Sequence, residues 1–187
     1  GMKVACVDAF KGKADGTLAL GGTCLNVGCI PSKAMLDSSR QFHNLTHMFA
    51  DHGITADNAA IDVAKMVGRK DKIVKQFNGG VAQLFKANKV TAFHGFGTLH
   101  KGNVVKVKAH DGKDVELKAT NVILASGSVS IELPFAKFDG KHIVDNVGAL
   151  DFEQTPKRLA VIGAGVIGLE MRSVWTRLRA ELPILQP

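Results

Sequence analysis

Two cysteines, Cys24 and Cys29, stand five residues apart in the run Gly21-Gly22-Thr23-Cys24-Leu25-Asn26-Val27-Gly28-Cys29-Ile30-Pro31-Ser32-Lys33. A CxxxxC spacing that leads into a helix lets both sulfurs lie in or just before the first turn. There they can close an intramolecular disulfide, and the positive end of the helix favours the thiolate when that bond opens. Gly21 and Gly22 leave the backbone ahead of Cys24 bare, so a flat ring can approach it closely. Pro31 suits a helix start, and Ser32 reads as a local capping group. Cys6 lies in a short apolar run and is expected to stay outside the pair. The chemistry open to such a segment is thiol–disulfide exchange.

A second run with chemical meaning is Gly163-Ala164-Gly165-Val166-Ile167-Gly168, which follows the apolar stretch Leu159-Ala160-Val161-Ile162 and opens a helical pattern. In that context GxGxxG reads as a dinucleotide fingerprint. Gly163 makes the tight turn, Gly165 lets a pyrophosphate approach, and Gly168 lets helix and strand pack, with the helix N-terminus facing the phosphates. A purely structural glycine turn is the competing reading. The fingerprint calls for an acid about 20 residues further on to hold the ribose. Gln186 stands there instead, and Pro183 is expected inside the second strand, where it would remove a ladder donor.

The elements needed to position these runs can be read from periodicity. Val4 to Val7 reads as a buried parallel strand ending at Asp8. Lys11 to Leu20 reads as a loop. Ser32 to about Asp51 reads as a helix with Met35, Phe42, Leu45 and Met48 or Phe49 on one side and Gly53 as the stop. A second helix is expected from about Asp62 to Ala87, its stripe of Val63, Met66, Val67, Val74, Phe77, Val81 and Leu84 read as packing, with Gly79-Gly80 a place to bend. The period then becomes two. Val90 to Phe93 is a strand, and Val104–Lys108 and Val115–Lys118 flank Asp111-Gly112 as a hairpin. Asn121 to Ala125 reads as another buried strand, closed by Ser126-Gly127-Ser128. Pro134 and Pro156 bracket a connector with a short turn near Asp145 to Leu150, before the strand Leu159–Ile162 and a helix over Val166–Arg179.

Composition excludes several classes. The 187 residues, 45% hydrophobic and 22% charged, are enough for a real core and unlike a disordered chain. No run approaches the roughly 18 apolar residues of a membrane span, and no signal-peptide pattern opens the chain. Three cysteines are too few for a disulfide scaffold. The net charge of +7 comes from 24 scattered Lys and Arg with only 6% aromatic residues, so no nucleic-acid partner is expected.

The cysteine run resembles the redox-active disulfide segment of the flavin disulfide reductases, and is most similar to the members that oxidise dihydrolipoamide. Glutathione and mercuric reductases, the runner-up branch, usually carry Val where Leu25 and Ile30 stand. The resemblance spans essentially the whole chain, strongest at 18–36 and 121–170. It implies an α/β, Rossmann-like FAD/NAD(P)-binding fold with an antiparallel β-meander, incomplete at both ends. Residues 1–150 would be an FAD-binding domain without its first strand and its own GxGxxG, and 151–187 the start of an NAD-binding domain. The dimer-interface domain with its His-Glu pair would follow Pro187, and the chain by itself is expected to be inactive.

By the same resemblance, Cys24 would be the interchange thiol and Cys29 the thiolate facing the flavin. Lys33 would stabilise negative charge on reduced flavin and pair with Glu170. Asp8 would hold the FAD ribose. Gly22, Thr23, Gly95, Gly97, Ser126 and Gly127 would line FAD, and Gly163, Gly165, Val166, Ile167 and Gly168 would line NAD. For Gly95, Gly97, Ser126 and Gly127 a plain turn is an equal reading. The implied cofactors are FAD and NAD. The implied partners are the lipoyl domain of a 2-oxoacid dehydrogenase complex or of the glycine cleavage system, and a second copy of the intact enzyme. The implied compartment is the bacterial cytoplasm, with the mitochondrial matrix as the alternative. Two other readings stay open: a non-catalytic remnant, and a small thiol-exchange module without flavin, which a visible absorption spectrum separates from a flavoprotein.

Overall fold

The computed structural model describes residues 1–12, 16, 18–181 and 183–185. The chain divides into two compact units, residues 1–26 with 75–128, and residues 27–74 with 129–187.

In the first unit a four-stranded sheet has the order β1-β2-β3-β4. β1 (Ala5–Asp8) runs parallel to the first half of β2 (Thr91–His100), with Asp8 opposite His94. The second half of β2 pairs antiparallel with β3 (Val104–Ala109), which pairs with β4 (Val115–Lys118). The meander expected from the Asp111-Gly112 signal is therefore present, with Gly112 at φ +77°. β2 is longer than the expected Val90–Phe93 strand, because it changes partner at Gly95. A Cβ on Gly95 would lie 2.3 Å from the carbonyl oxygen of Lys108, so only glycine lets the two backbones meet there. Gly95 and Gly97 are thus strand residues rather than turn residues.

Asn121–Ala125 is not a strand. A strand exists only as a paired state, and among the described residues nothing pairs with this run. Ile123 and Leu124 consequently stand 90% and 75% exposed.

The second unit is built on helices. α2 (Cys29–His43) begins three residues earlier than the periodicity indicates and passes into a π turn (Asn44–Met48) and a 3-10 turn (Phe49–His52). Gly53, at φ +73°, ends it as expected. α3 (Val63–Ala87), whose residues from Lys75 onward belong to the first unit, continues through Gly79-Gly80, and Asp62 caps it by accepting from the Lys65 backbone N–H at 2.9 Å. Only the first part of its apolar stripe is in the core: Val63 and Met66 are buried, whereas Phe77 and Leu84 are exposed. α4 (Asn146–Ala149) is capped by Asp145, β5 (Val161–Ile162) leads into α5 (Val166–Arg177), and β6 (Ile184–Leu185) lies parallel to β5.

The core gathers Met35 and Phe42 of α2, Val63 and Met66 of α3, and Met171, Val174 and Trp175 of α5. Trp175 is fully buried, and its indole N–H donates to the Ala149 carbonyl at 3.2 Å, so its one polar atom is not left unsatisfied. Lys70 is buried too, its ammonium donating to Asp151 and to the Leu150 carbonyl and lying 3.0 Å from Asp71. Pro183 is not inside a strand: it precedes β6, and its carbonyl accepts from Val161 N at 3.3 Å. At the start of a strand the missing N–H costs no ladder bond. Gln186 lies outside the described residues.

Candidate active site

Cys24 lies within a six-residue helix, α1 (Gly22–Val27), and Cys29 is the first residue of the 15-residue α2. The two cysteines therefore belong to successive helices rather than to one first turn. Both are disulfide-bonded and exposed, and Cys6 is the free thiol. The position of Cys29 means that an opened disulfide would leave its sulfur at the positive end of a four-turn dipole. Burial pushes the Cys6 thiol up, and the Asp8 carboxylate pushes it in the same direction.

Ser32 does not cap α2. Gly28 occupies the cap position without a side-chain bond, and the Ser32 hydroxyl donates to Glu170 Oε2 at 2.5 Å. Lys33 donates to Glu170 Oε1. Glu170 is 19% exposed. Burial alone would raise its carboxyl, but the hydrogen bonds from Lys33 and Ser32 and the charge of Lys33 outweigh it and hold it below the usual range. Lys33 itself is 60% exposed, its ammonium held by one carboxylate.

In the first unit, Thr23 meets the Ser126-Gly127-Ser128 segment. Thr23 Oγ1 accepts from Ser128 N at 3.2 Å, and a Cβ on Gly127 would lie 2.6 Å from that oxygen, at a φ of +79°. Gly127 is thus required by both conformation and approach. Ser126 is exposed. Gly22, at φ +62°, faces open space. Asp8 sits at the carboxyl end of β1, where α/β sheets place ligands, with one oxygen accepting from Phe10 N at 2.9 Å. The open backbone at Gly22 and the acid at the strand tip fit a ribose and a flat ring.

Periodicity missed Asn78, in the middle of α3. Its side-chain amide donates to the Leu20 carbonyl at 2.8 Å and to Asn26 Oδ1 at 3.0 Å, while Asn26 donates to the Gly22 carbonyl at 2.9 Å. These bonds anchor the loop that delivers Cys24. The signal was an amide side chain on an otherwise apolar or charged helix face.

In the second unit the three fingerprint glycines have three geometries. Gly163 takes φ +104° and Gly165 caps α5, and a Cβ at either would meet nothing within 4 Å. Gly168 is packed: a Cβ there would lie 2.4 Å from the Gly163 carbonyl oxygen and 3.1 Å from Val161. Val166 and Ile167 are exposed beside the open glycines. Bare backbone on the N-terminal side of a 12-residue helix fits a pyrophosphate.

The profile of the Pyridine nucleotide-disulphide oxidoreductase family matches residues 1–187. The chain is 45% identical over 186 residues to the mitochondrial dihydrolipoyl dehydrogenase of Pisum sativum, a match that covers 100% of this chain and 36% of that protein. It is 47% identical over 191 residues to the dihydrolipoyl dehydrogenase of Cupriavidus necator, covering 100% of this chain and 39% of that protein. The crystal structure of LpdA from Mycobacterium tuberculosis superposes with a TM-score of 0.86 at 23% identity, covering 98% of this chain and 39% of that one, which shows the fold. The chain therefore spans somewhat over a third of the length of these relatives, which include mitochondrial and bacterial enzymes. No helix among the described residues is long and apolar enough to cross a membrane.

Proposed function

The chain belongs to the pyridine nucleotide-disulphide oxidoreductase family, and we propose that it is the disulfide-bearing part of a dihydrolipoyl dehydrogenase. The observation that carries this reading is the disulfide-bonded, exposed pair Cys24 and Cys29 with Cys29 at the head of α2. Residues 1–150 would serve FAD and residues 151–187 NAD. The partner would be a lipoyl domain of a 2-oxoacid dehydrogenase complex or of the glycine cleavage system, with the intact enzyme a homodimer. The setting would be the bacterial cytoplasm or the mitochondrial matrix.

The two positions support the following thiol step. One thiolate of dihydrolipoamide attacks Cys24 Sγ, the Cys24–Cys29 bond breaks, and its electron pair leaves on Cys29. The helix N-terminus favours that leaving thiolate. The second substrate thiol, after losing its proton to water, attacks the substrate sulfur bound to Cys24 and breaks the mixed disulfide. Lipoamide leaves oxidised, and Cys24 departs as a thiolate. The electron pair now resides on the reduced Cys24/Cys29 pair. FAD, when bound, would pass that pair of electrons on to NAD. Asp8 and the open backbone at Gly22 would bind the first cofactor, the open backbone at Gly163 and Gly165 the phosphates of the second, and Lys33, held by Glu170, would supply the positive charge beside the reduced groups.

The test is selective opening of the disulfide. The oxidised chain is incubated with dihydrolipoamide or with glutathione at equal thiol concentration, alkylated, and mapped by mass spectrometry. The expected result is that dihydrolipoamide frees Cys24 and Cys29 for alkylation at least about tenfold faster than glutathione does, since the second substrate thiol closes the exchange intramolecularly. Equal rates, or a disulfide inert to both, would overturn the reading. Addition of FAD with a flavin band that shifts on binding tests the first cofactor separately.

A further inference from the structure

At His43, helix α2 passes into a single π turn, Asn44–Met48. Such turns are uncommon and recur at functional sites. Here the turn sets the rings of His43 and His47 in a stack, with centroids 4.4 Å apart and planes 19° from parallel. His47 Nδ1 is engaged locally, 2.8 Å from Thr46 Oγ1 and 3.2 Å from the His43 carbonyl oxygen. Its Nε2 edge has no bond to a described residue. The end of α5 brings Thr176, Arg177 and Arg179 to the same place, and the six residues line a cavity of about 330 Å³. None of the six is acidic, and neither arginine forms an ion pair with a carboxylate among the described residues.

Arg179 is the most telling of them. It follows the last turn of α5 at φ +73°, the left-handed position where helices usually place glycine because a Cβ is strained there. Its guanidinium lies over the Phe42 ring, 5.7 Å from the centroid, so the side chain is directed rather than trailing in solvent. A cation in the last turn also suits the negative end of a helix. That accounts for Arg177, but not for a strained arginine on the wall of a concavity that a second arginine and two histidines also line.

From this arrangement we infer a binding site for a phosphate group, carried by a small phosphomonoester or present as the free ion, between the π turn of α2 and the end of α5. Two guanidinium forks match the oxygens of a tetrahedral dianion. The site is separate from the thiol and dinucleotide machinery described above and does not depend on it.

The 187-residue chain is titrated with inorganic phosphate and, separately, with adenosine monophosphate at constant ionic strength set with chloride. The His43 and His47 imidazole signals are followed by NMR and the heat by calorimetry. The expected result is saturable binding with a dissociation constant of about 1 mM or tighter, shifting both imidazoles. Arg179→Gly, which relieves the left-handed strain, is expected to stay folded and bind at least about tenfold more weakly, while Arg172→Gln, on the same helix but outside the cavity, binds as the parent does. If Arg179→Gly alters the fold by circular dichroism, Arg179→Gln carries the same tenfold criterion. Binding of both probes assigns a phosphomonoester, and binding of phosphate alone assigns the free ion. No saturable shift up to about 50 mM phosphate, or arginine variants that bind as the parent does, would overturn the site.

Discussion

Lys33 Nζ donates to Glu170 Oε1, and this bond ties the first turn of α2, which begins at Cys29, to the first turns of α5, which begins at Val166. The Ser32 hydroxyl fills the second oxygen of the same carboxylate. One acid thus fixes the cation that follows the cysteine run by four positions and anchors it to the helix that carries the dinucleotide fingerprint.

The pair should leave a pH signature. Glu170 has a lowered folded value, so its contribution is fully present above the ordinary glutamate range, near about 4.3, and is lost as the pH falls through the folded value. Because Lys33 is well exposed, the contribution is about 1 kcal/mol. Glu170→Gln should therefore melt about 2–4 °C below the parent at neutral pH. That gap should close as the solution is acidified past the carboxylate range. Melting curves across the acid range check it, and a gap that does not change with pH would mean that Glu170 acts through packing rather than charge.

The thiols should be unequal. In the oxidised chain, alkylation is expected at Cys6 only, and slowly, since burial and Asp8 both disfavour its thiolate. After reduction all three cysteines should react, with Cys29 first because it heads α2. Peptide mapping of a time course reads the order. Three reactive thiols before reduction would remove the disulfide from the argument.

How much of this was legible beforehand depends on whether the signal was local. The Asp111-Gly112 hairpin, the Gly53 stop and the tight turn at Gly163 were readable because each rests on backbone conformation that a few neighbouring residues decide. Asn121–Ala125 was not, because an apolar run becomes a strand only with a partner, which periodicity does not report. Ser32 looked like a cap because capping is a local rule, whereas its acceptor, Glu170, is 138 positions away. The stacked histidines were invisible for the same reason: a π turn has no period.

Trp175 should behave as the keystone of the second unit. It is fully buried, packs at 5.4 Å against Phe152, and satisfies its N–H on Ala149. Trp175→Ala should cost about 3–5 kcal/mol, and Trp175→Phe less, since it keeps most of the volume and loses one hydrogen bond. Urea unfolding measures both. A cost below about 1 kcal/mol for the alanine variant would contradict the burial.

The fingerprint glycines should separate stability from binding. A methyl group at Gly168 would strike the Gly163 carbonyl oxygen at 2.4 Å, and backbone cannot rotate away as a side chain can. Gly168→Ala should therefore destabilise the unit by about 1–3 kcal/mol by forcing α5 off β5. Gly165→Ala meets nothing within 4 Å and lies at φ −68°, so its stability should match the parent within about 0.5 kcal/mol. If a pyrophosphate sits against that bare backbone, the same methyl should occupy its space and weaken NAD binding by about tenfold or more. Thermal melting and NAD titration of the two variants, side by side, decide it. Gly165→Ala with unchanged melting and unchanged NAD affinity would remove the phosphate from this turn, and Gly168→Ala with parental stability would show that α5 and β5 do not need their close approach.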